Sequence, residues 1–369
     1  MMEPKADSRD LSSCVVIINP SRFPYQVKRL KKLLASYNTT VVETLSREHF
    51  LEAIASFARG SHPYLLVWGG DGTAHDAINE LIKSGFDGKK SVGFLRGGSG
   101  NGTQDSYEVP FLLARQVSTY AESVQNGYTI DVDLIQVTSG EGREYGQLVG
   151  LGFDVRLLER REMRKNRSGT TRPGFLNYAL SGALTVLREP LTDGRFYDLR
   201  LEEGRYILRG TRTNAEFPFK TLDLESGALM IEIGTRPYYG LLFKICPDVV
   251  CNDGLLNLYL FNFVAKADIL RDAAALWTGM HHRINMRFAK KEKPIIQRFE
   301  TRGLTIESDK PFSYHIDGEL RSCASSLNGK FSLRIDVLPR SFSFLVPGVF
   351  YRKFHPFQNI LFTDPPRVT

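Results

Sequence analysis

Cysteine is scarce in this chain: four residues in 369, at Cys14, Cys246, Cys251 and Cys323. They form no CxxC pair and no Cys/His spacing of the zinc type, which argues against a disulfide scaffold or a zinc-knuckle fold and for a reducing interior. The chain also lacks any run near the ~18 apolar residues needed to span a bilayer. Residues 1–13 are polar and charged, so neither a signal peptide nor an anchor is expected there, and the expected setting is cytoplasmic. Equally missing are a GxxxxGK[ST] phosphate loop and the HRD and DFG sets of protein kinases. No internal repeat or low-complexity linker interrupts the chain.

What is present is an ordinary globular composition, 42% hydrophobic and 24% charged, in a chain long enough for two domains with full cores. The net charge of +7 favours anionic partners: nucleotides, nucleic acid or an acidic membrane surface. A membrane, if met, is met from the side.

The chain is organised around residues 65–73, LLVWGGDGT, and the helix they open. A short apolar run that ends in glycines reads as a buried strand. Asp71 or Thr73 is expected as the N-cap of a helix over 74–84, whose Ala74, Ala77, Ile78, Leu81 and Ile82 form one stripe. A strand running through glycines into a helix N-terminus is an anion site, because free N–H groups and the positive end of the dipole meet there. Gly69, Gly70 and Gly72 admit a phosphate to the main chain, and Asp71 then suits a Mg2+ or a transferred proton. Two more loops follow apolar strands: Asn19-Pro20-Ser21 after 14–19, and residues 96–102 (RGGSGNG) after 92–95. Helices are expected from about 24, from Ser46, and from Pro110 to a C-cap at Gly127. Strands alternating with helices predict a mostly parallel sheet, with the three loops gathered at its carboxyl edge.

From Thr129 the rhythm changes. Asp131 and Asp133 alternate with Ile130, Val132 and Leu134, which places both acids on the solvent side. Short alternating segments follow, among them 196–201, 229–233, 241–245, 255–261, 284–288, 304–307, 312–316 and 331–337, with helices expected at 174–187 and 266–277. The expectation is an α/β N-terminal domain over 13–134 and a β-rich antiparallel sandwich over 135–339, with an interdomain cleft. Residues 340–369 are expected to pack back on the first domain.

These residues resemble the diacylglycerol kinase catalytic-domain family, which includes bacterial lipid kinases and sphingosine kinases. The resemblance rests on Asn19-Pro20, the GGDGT run of Gly69 to Thr73 with Asn79 downstream, Gly98-Ser99-Gly100-Asn101, Asp131, Asn252-Asp253-Gly254-Leu255 and Asp317-Gly318-Glu319. It implies ATP contacts from Asn19, Pro20, Gly69, Gly70, Asp71, Gly72, Thr73, Gly98, Ser99, Gly100, Asn101 and Glu319. It implies Asp317 as general base, with Asp71 as its catalytic partner. Asp71 and Asp131 are implied as holders of Mg2+ through water, and Asp253 at a second metal position. The implied partner is a lipid substrate at a membrane surface rather than nucleic acid, and a homodimer is left open.

The sequence departs from the family at two loops. Gly102 stands where the second loop usually carries an acid, and Asp105 is the nearest replacement. In the first loop Arg22 stands where the family has a glycine, so that Arg22 or Arg96 is a candidate phosphate contact. The implied activity is phosphoryl transfer from ATP to a lipid hydroxyl, diacylglycerol first and a sphingoid base or other lipid second. A NAD kinase and a non-catalytic nucleotide or lipid sensor remain as alternatives. The basic stretch 156–167 suits either an anionic membrane or a solvated helix face, and the apolar helix at 175–187 is the expected wall for an acyl chain.

Overall fold

The structure is a computed structural model that describes residues 10–19, 23–86, 88–168, 194–210, 214–289, 294–324, 326–327 and 329–354. Pro20, Ser21 and Arg22, the expected helix at 174–187 and the stretch from 355 onward lie outside the described residues. The chain divides into two compact units, one running to Val132 and resuming at Arg340, the other spanning Asp133–Pro339.

The first unit alternates β1 (Asp10–Ile18), α1 (Pro24–Leu34), β2 (Asn38–Glu43), α2 (Arg47–Arg59), β3 (Tyr64–Gly69), α3 (Asp71–Lys83), β4 (Ser91–Arg96), α4 (Gly102–Ser106) and α5 (Leu113–Asn126), and then enters β5 (Thr129–Ser139). The strands β2, β1, β3 and β4 lie side by side in that order, all parallel. β3, β4 and residues 14–18 of β1 are buried almost throughout, which is why they read as unbroken apolar runs rather than alternations. Ser46 caps α2 by accepting from the His49 N–H at 3.2 Å, and Gly127 closes α5 at φ +61°.

Two expectations are corrected in this unit. Helix α3 starts at Asp71 with Gly70 as its N-cap and no capping side chain, because Asp71 is engaged elsewhere. The short helix α4 was not anticipated, and α5 starts at Leu113 rather than near Pro110.

The returning segment, the end of β16 (Lys330–Leu345), lies parallel to β4 at Phe344 and Val92. Phe342 stacks on Phe86 at 4.6 Å, and Phe344 meets Tyr107 edge-on at 4.7 Å. The last helix, α9 (Gly348–Phe354), sets Tyr351 on Tyr128 at 4.9 Å.

The second unit is antiparallel. Its strands are the rest of β5, β6 (Gly142–Gly146), β7 (Leu148–Gly152), β8 (Tyr197–Leu208), β9 (Ala215–Ser226), β10 (Met230–Gly234), β11 (Leu256–Phe261), β12 (Ile296–Ser308), β13 (Phe312–Ile316), β14 (Glu319–Cys323), β15 (Ser326–Leu327) and the start of β16. Its helices are α6 (Phe153–Ser168), α7 (Lys266–Trp277) and α8 (His281–Arg287). The path runs β14-β13-β7-β10-β11-β12-β16, with β8 and then β9 added alongside β12. Val149, Leu151, Ile233, Leu258, Leu304 and Ile335 lie in one buried cluster.

Two expected strands are absent. Residues 284–287 belong to helix α8 and Phe288 is its C-cap, since the buried positions His281, Ile284 and Asn285 follow helical spacing. Residues 241–245 form only an isolated bridge between Gly240 and Phe243.

Candidate active site

In the first unit the chain steps to β2 on one side of β1 and to β3 on the other. The carboxyl ends of β1 and β3 therefore flank a topological switch point, the place where open α/β sheets take ligands. Asn19 and the two glycine loops converge there. The Asn19 N–H donates to the Trp68 carbonyl at 3.2 Å, and its Nδ2 reaches the Thr73 hydroxyl at 3.4 Å. The Gly97 N–H donates to the Gly69 carbonyl at 2.8 Å.

Gly70 and Gly98 press main chain against main chain. A Cβ on Gly98 would fall 2.3 Å from the Gly70 Cα, and one on Gly70 would fall 2.8 Å from the Gly98 Cα. Asn101, at φ +57°, closes the second loop on itself: its Oδ1 accepts from the Gly98 N–H at 3.0 Å, and its Nδ2 donates to the Gly98 carbonyl at 2.8 Å. Ser99, Gly100, Gly72 and Thr73 are partly exposed around these contacts. With no side chain capping α3, its first-turn N–H groups face the same crevice with the dipole behind them, an arrangement suited to phosphate.

The acidic residues divide by role. Asp71 Oδ1 accepts from the Thr103 N–H at 2.9 Å and the Thr103 hydroxyl at 3.3 Å, so it caps α4 from another loop. Its Oδ2 lies beside Gly100, where a Cβ would intrude to 2.6 Å. Gln104 ties α4 to the ends of β3 and β4 through the carbonyls of Gly69, at 3.2 Å, and Leu95, at 3.3 Å. Asp105 does not replace the missing loop acid. It is buried and ion-paired to Arg96 at 2.6 Å, because α4 turns it inward. Arg96 is committed to that pair, to the Val109 carbonyl at 2.8 Å and to the Phe111 ring, which removes it as a phosphate contact.

Asp131 is exposed on β5. Asp133, expected on the solvent side, is instead fully buried in the second unit. Its Oδ2 accepts from the Gly254 N–H at 2.7 Å and its own N–H donates to the Cys251 carbonyl at 2.7 Å, so the loop that follows Cys251 covers it. Asp253 closes a turn in that same loop, with Oδ1 accepting from the Leu255 N–H at 3.1 Å. The Oδ2 of Asp71, kept clear by the absence of a Cβ at Gly100, fits a hard cation that keeps much of its water, and so does the exposed carboxylate of Asp131. Among the described residues neither belongs to a group of three ligand atoms; the one such group is Asp154, Glu232 and His315.

Asp317 occupies the turn between β13 and β14 at φ +51°, with Gly318 at φ +89°. This backbone turns the carboxylate into the second unit, where it is 8% exposed. Its Oδ1 accepts from the N–H groups of Gln147 (3.2 Å) and Leu148 (3.1 Å) and from the Arg236 guanidinium at 3.1 Å. These donors favour the charged carboxylate. Gly146 is required here, since a Cβ would lie 2.7 Å from Asp317 Oδ2. Glu319, two residues on, is exposed. Sequence reasoning missed Arg236, Thr103, Gln104 and the burial of Asp133. Nothing local marks Arg236 as buried, and only the cross-strand neighbours show that Asp317 needs a cation.

The family model described as the diacylglycerol kinase catalytic domain matches residues 13–137. The model described as the YegS C-terminal NAD kinase beta sandwich-like domain matches 210–346. A Mycobacterium tuberculosis protein named diacylglycerol kinase is 22% identical over 275 residues, covering 74% of this chain and 78% of that one. A Yersinia pseudotuberculosis protein named "Probable lipid kinase YegS-like" is 23% identical over 327 residues, covering 87% and 92%. The crystal structure of a diacylglycerol kinase from Bacillus anthracis superposes with a TM-score of 0.59 at 14% identity, covering 91% and 97%, and so shares the fold. With one model on the glycine-loop unit and the other on the antiparallel unit, the chain belongs to the diacylglycerol kinase catalytic-domain family of lipid kinases.

Proposed function

We propose that the protein transfers the γ-phosphoryl group of ATP to the hydroxyl of a lipid, with diacylglycerol the first acceptor and a sphingoid base or related lipid the second. The contact of Gly70 with Gly98 beneath the uncapped start of α3 carries the reading, since it leaves main-chain N–H groups, not a lysine, to hold the phosphates. Asn19, Gly69 to Thr73 and Gly98 to Asn101 form this cradle, and Pro20 and Glu319 are further nucleotide contacts in the proposal. Asp71 and Asp131 are the carboxylates that would hold Mg2+, which when bound offsets charge on the transferring phosphoryl group. Asp253 is the proposed further metal position.

Asp317 is the proposed acceptor of the lipid hydroxyl proton. Arg236 and two N–H groups hold it in place, so its part is chiefly to aim the hydroxyl oxygen and take the proton late in the transfer. For the lipid chains, the second unit offers a cavity of about 640 Å3 whose walls include Tyr206, Phe217, Phe219, Leu222, Leu224 and Phe299. The net charge of +7 supports approach to an anionic membrane face.

The test is ATP turnover with Mg2+ in mixed micelles carrying diacylglycerol or a sphingoid base, compared with NAD and with no acceptor. A lipid phosphate identified by mass supports the proposal. Phosphorylated NAD would identify the nucleotide-kinase alternative, and ATP binding without turnover on any acceptor the sensor.

A further inference from the structure

One cluster in the second unit plays no part in the phosphoryl transfer. Gly150, in the middle of β7, is flanked across the sheet by Glu232 of β10 and His315 of β13, each directly opposite it. Asp154, in the first turn of α6, reaches the same spot. The convergence is tight: a Cβ on Gly150 would lie 2.3 Å from His315 Nε2, 2.4 Å from Asp154 Oδ2 and 2.8 Å from Glu232 Oε1. The glycine leaves a hollow that three ligand atoms share.

All three groups are buried; Glu232 is 1% exposed and His315 0%. Glu232 Oε2 and Asp154 Oδ1 have no well-formed hydrogen bond, and Asp154 Oδ2 and His315 Nε2 meet each other at 2.5 Å. Two carboxylates therefore face each other in the core with too little positive charge. Arg236, whose charge also acts on Glu232, is bonded to Asp317 and to the Tyr238 carbonyl. Burial, followed by the charge of Asp154, pushes the Glu232 carboxyl well above the usual carboxylate range, as expected of an uncompensated site.

We propose that Asp154, Glu232 and His315 form a binding site for one divalent transition-metal ion. A doubly charged ion neutralises two carboxylates and supplies each unpartnered atom with a bond. One imidazole nitrogen with two carboxylate oxygens suits Mn2+, Fe2+ or Zn2+ better than Mg2+ or Ca2+, which take oxygen alone. Ligation through Nε2 places the ring proton on Nδ1, and the long 3.3 Å contact from the Gly318 N–H to Nδ1 is given up. Because His315 precedes the Asp317 turn by two residues and the cluster joins β7, β10, β13 and α6, the ion fixes the frame that holds Asp317. The proposal is independent of the identity of the lipid.

The test uses the full-length protein without nucleotide, stripped with EDTA and then reloaded. Wild type is expected to retain about one equivalent of Mn2+ or Zn2+ after desalting, to lose several degrees of Tm on chelation, and to recover them with Mn2+ but not with Mg2+. Glu232→Gln and Gly150→Ala should weaken the retained ion at least tenfold, while Asp71→Asn leaves it unchanged. If a variant fails to fold, the chelation and reload series on wild type decides alone. Wild type holding no more ion than Glu232→Gln, or a Tm indifferent to EDTA and Mn2+, would overturn the site and leave a proton shared by the two carboxyls as the neutralising charge.

Discussion

Replacing Gly98 with alanine tests the two-loop cradle directly. The new methyl would sit 2.3 Å from the Gly70 Cα, a main-chain atom that cannot rotate aside. Carbon atoms in contact rest at about 3.5–4.0 Å, so the loops must part by at least ~1 Å. The φ of Gly98 is not in the left-handed region, so sterics alone drive the effect. The shift moves the phosphate-facing N–H groups of α3 relative to the second loop, and a ~1 Å misplacement of reacting groups can cost ~100-fold, about 2.7 kcal/mol. The expected result is a loss of 30- to 100-fold in kcat/KM for ATP, with weaker Mg–ATP binding by calorimetry. The lipid KM should change less than threefold. A kcat/KM for ATP within twofold of wild type, at unchanged Tm, would refute the claim that this contact shapes the nucleotide site.

Other residues give independent checks. Asp71→Asn retains an oxygen for the Thr103 N–H, so stability should fall by less than about 1 kcal/mol while the Mg2+ needed for half-maximal turnover rises at least tenfold; Asp71→Ala should lose both, as urea unfolding and Mg2+ titration would show. Asp317→Asn should abolish turnover with ATP binding nearly intact, and should lower stability by ~3–5 kcal/mol because the buried Arg236 loses its ion pair with Asp317; normal turnover would remove Asp317 from the mechanism. Burial between Tyr259 and Phe261 lowers His281 from 6.5 to about 4. Its neutral form is the folded one, so its contribution is complete above pH 6.5 and is lost as pH falls from 6.5 towards 4, up to ~3 kcal/mol. His281→Phe should flatten that part of the unfolding free energy against pH; an unchanged slope would count against the burial argument. The Tyr120 hydroxyl both accepts from the Phe94 N–H and donates to the Phe94 carbonyl, each at 3.1 Å in the core. Tyr120→Phe should therefore cost ~1–3 kcal/mol with little change in KM for ATP, measured by denaturant unfolding and steady-state kinetics.

Much of the first unit was legible from one dimension, because its information is local. Apolar runs ending in a turn at Asn19-Pro20 or in glycines marked β1, β3 and β4, Ser46 marked the start of α2 and Gly127 the end of α5. The glycine loops pointed to the proposed phosphate site, since a strand feeding a helix N-terminus leaves free main-chain N–H groups there. Alternation located most strands of the second unit but misled in places: the stretch from 284 looks like a strand and lies in a helix, and Asp133 looks solvent-facing and lies in the core.

Periodicity and composition by themselves determined the fold class, and the ordered motifs carried the family resemblance and showed which loops hold glycine and acid. Tertiary structure alone decided what each acid does. Asp105 pairs with Arg96, Asp71 caps a helix, Asp317 rests on Arg236, and Asp154, Glu232 and His315 meet over Gly150. The reason is physical: a backbone preference is set by neighbours a few residues away, whereas the state of a carboxylate is set by the charges and N–H groups within a few ångströms. Those arrive from strands up to 170 residues distant, as Gln147 does for Asp317.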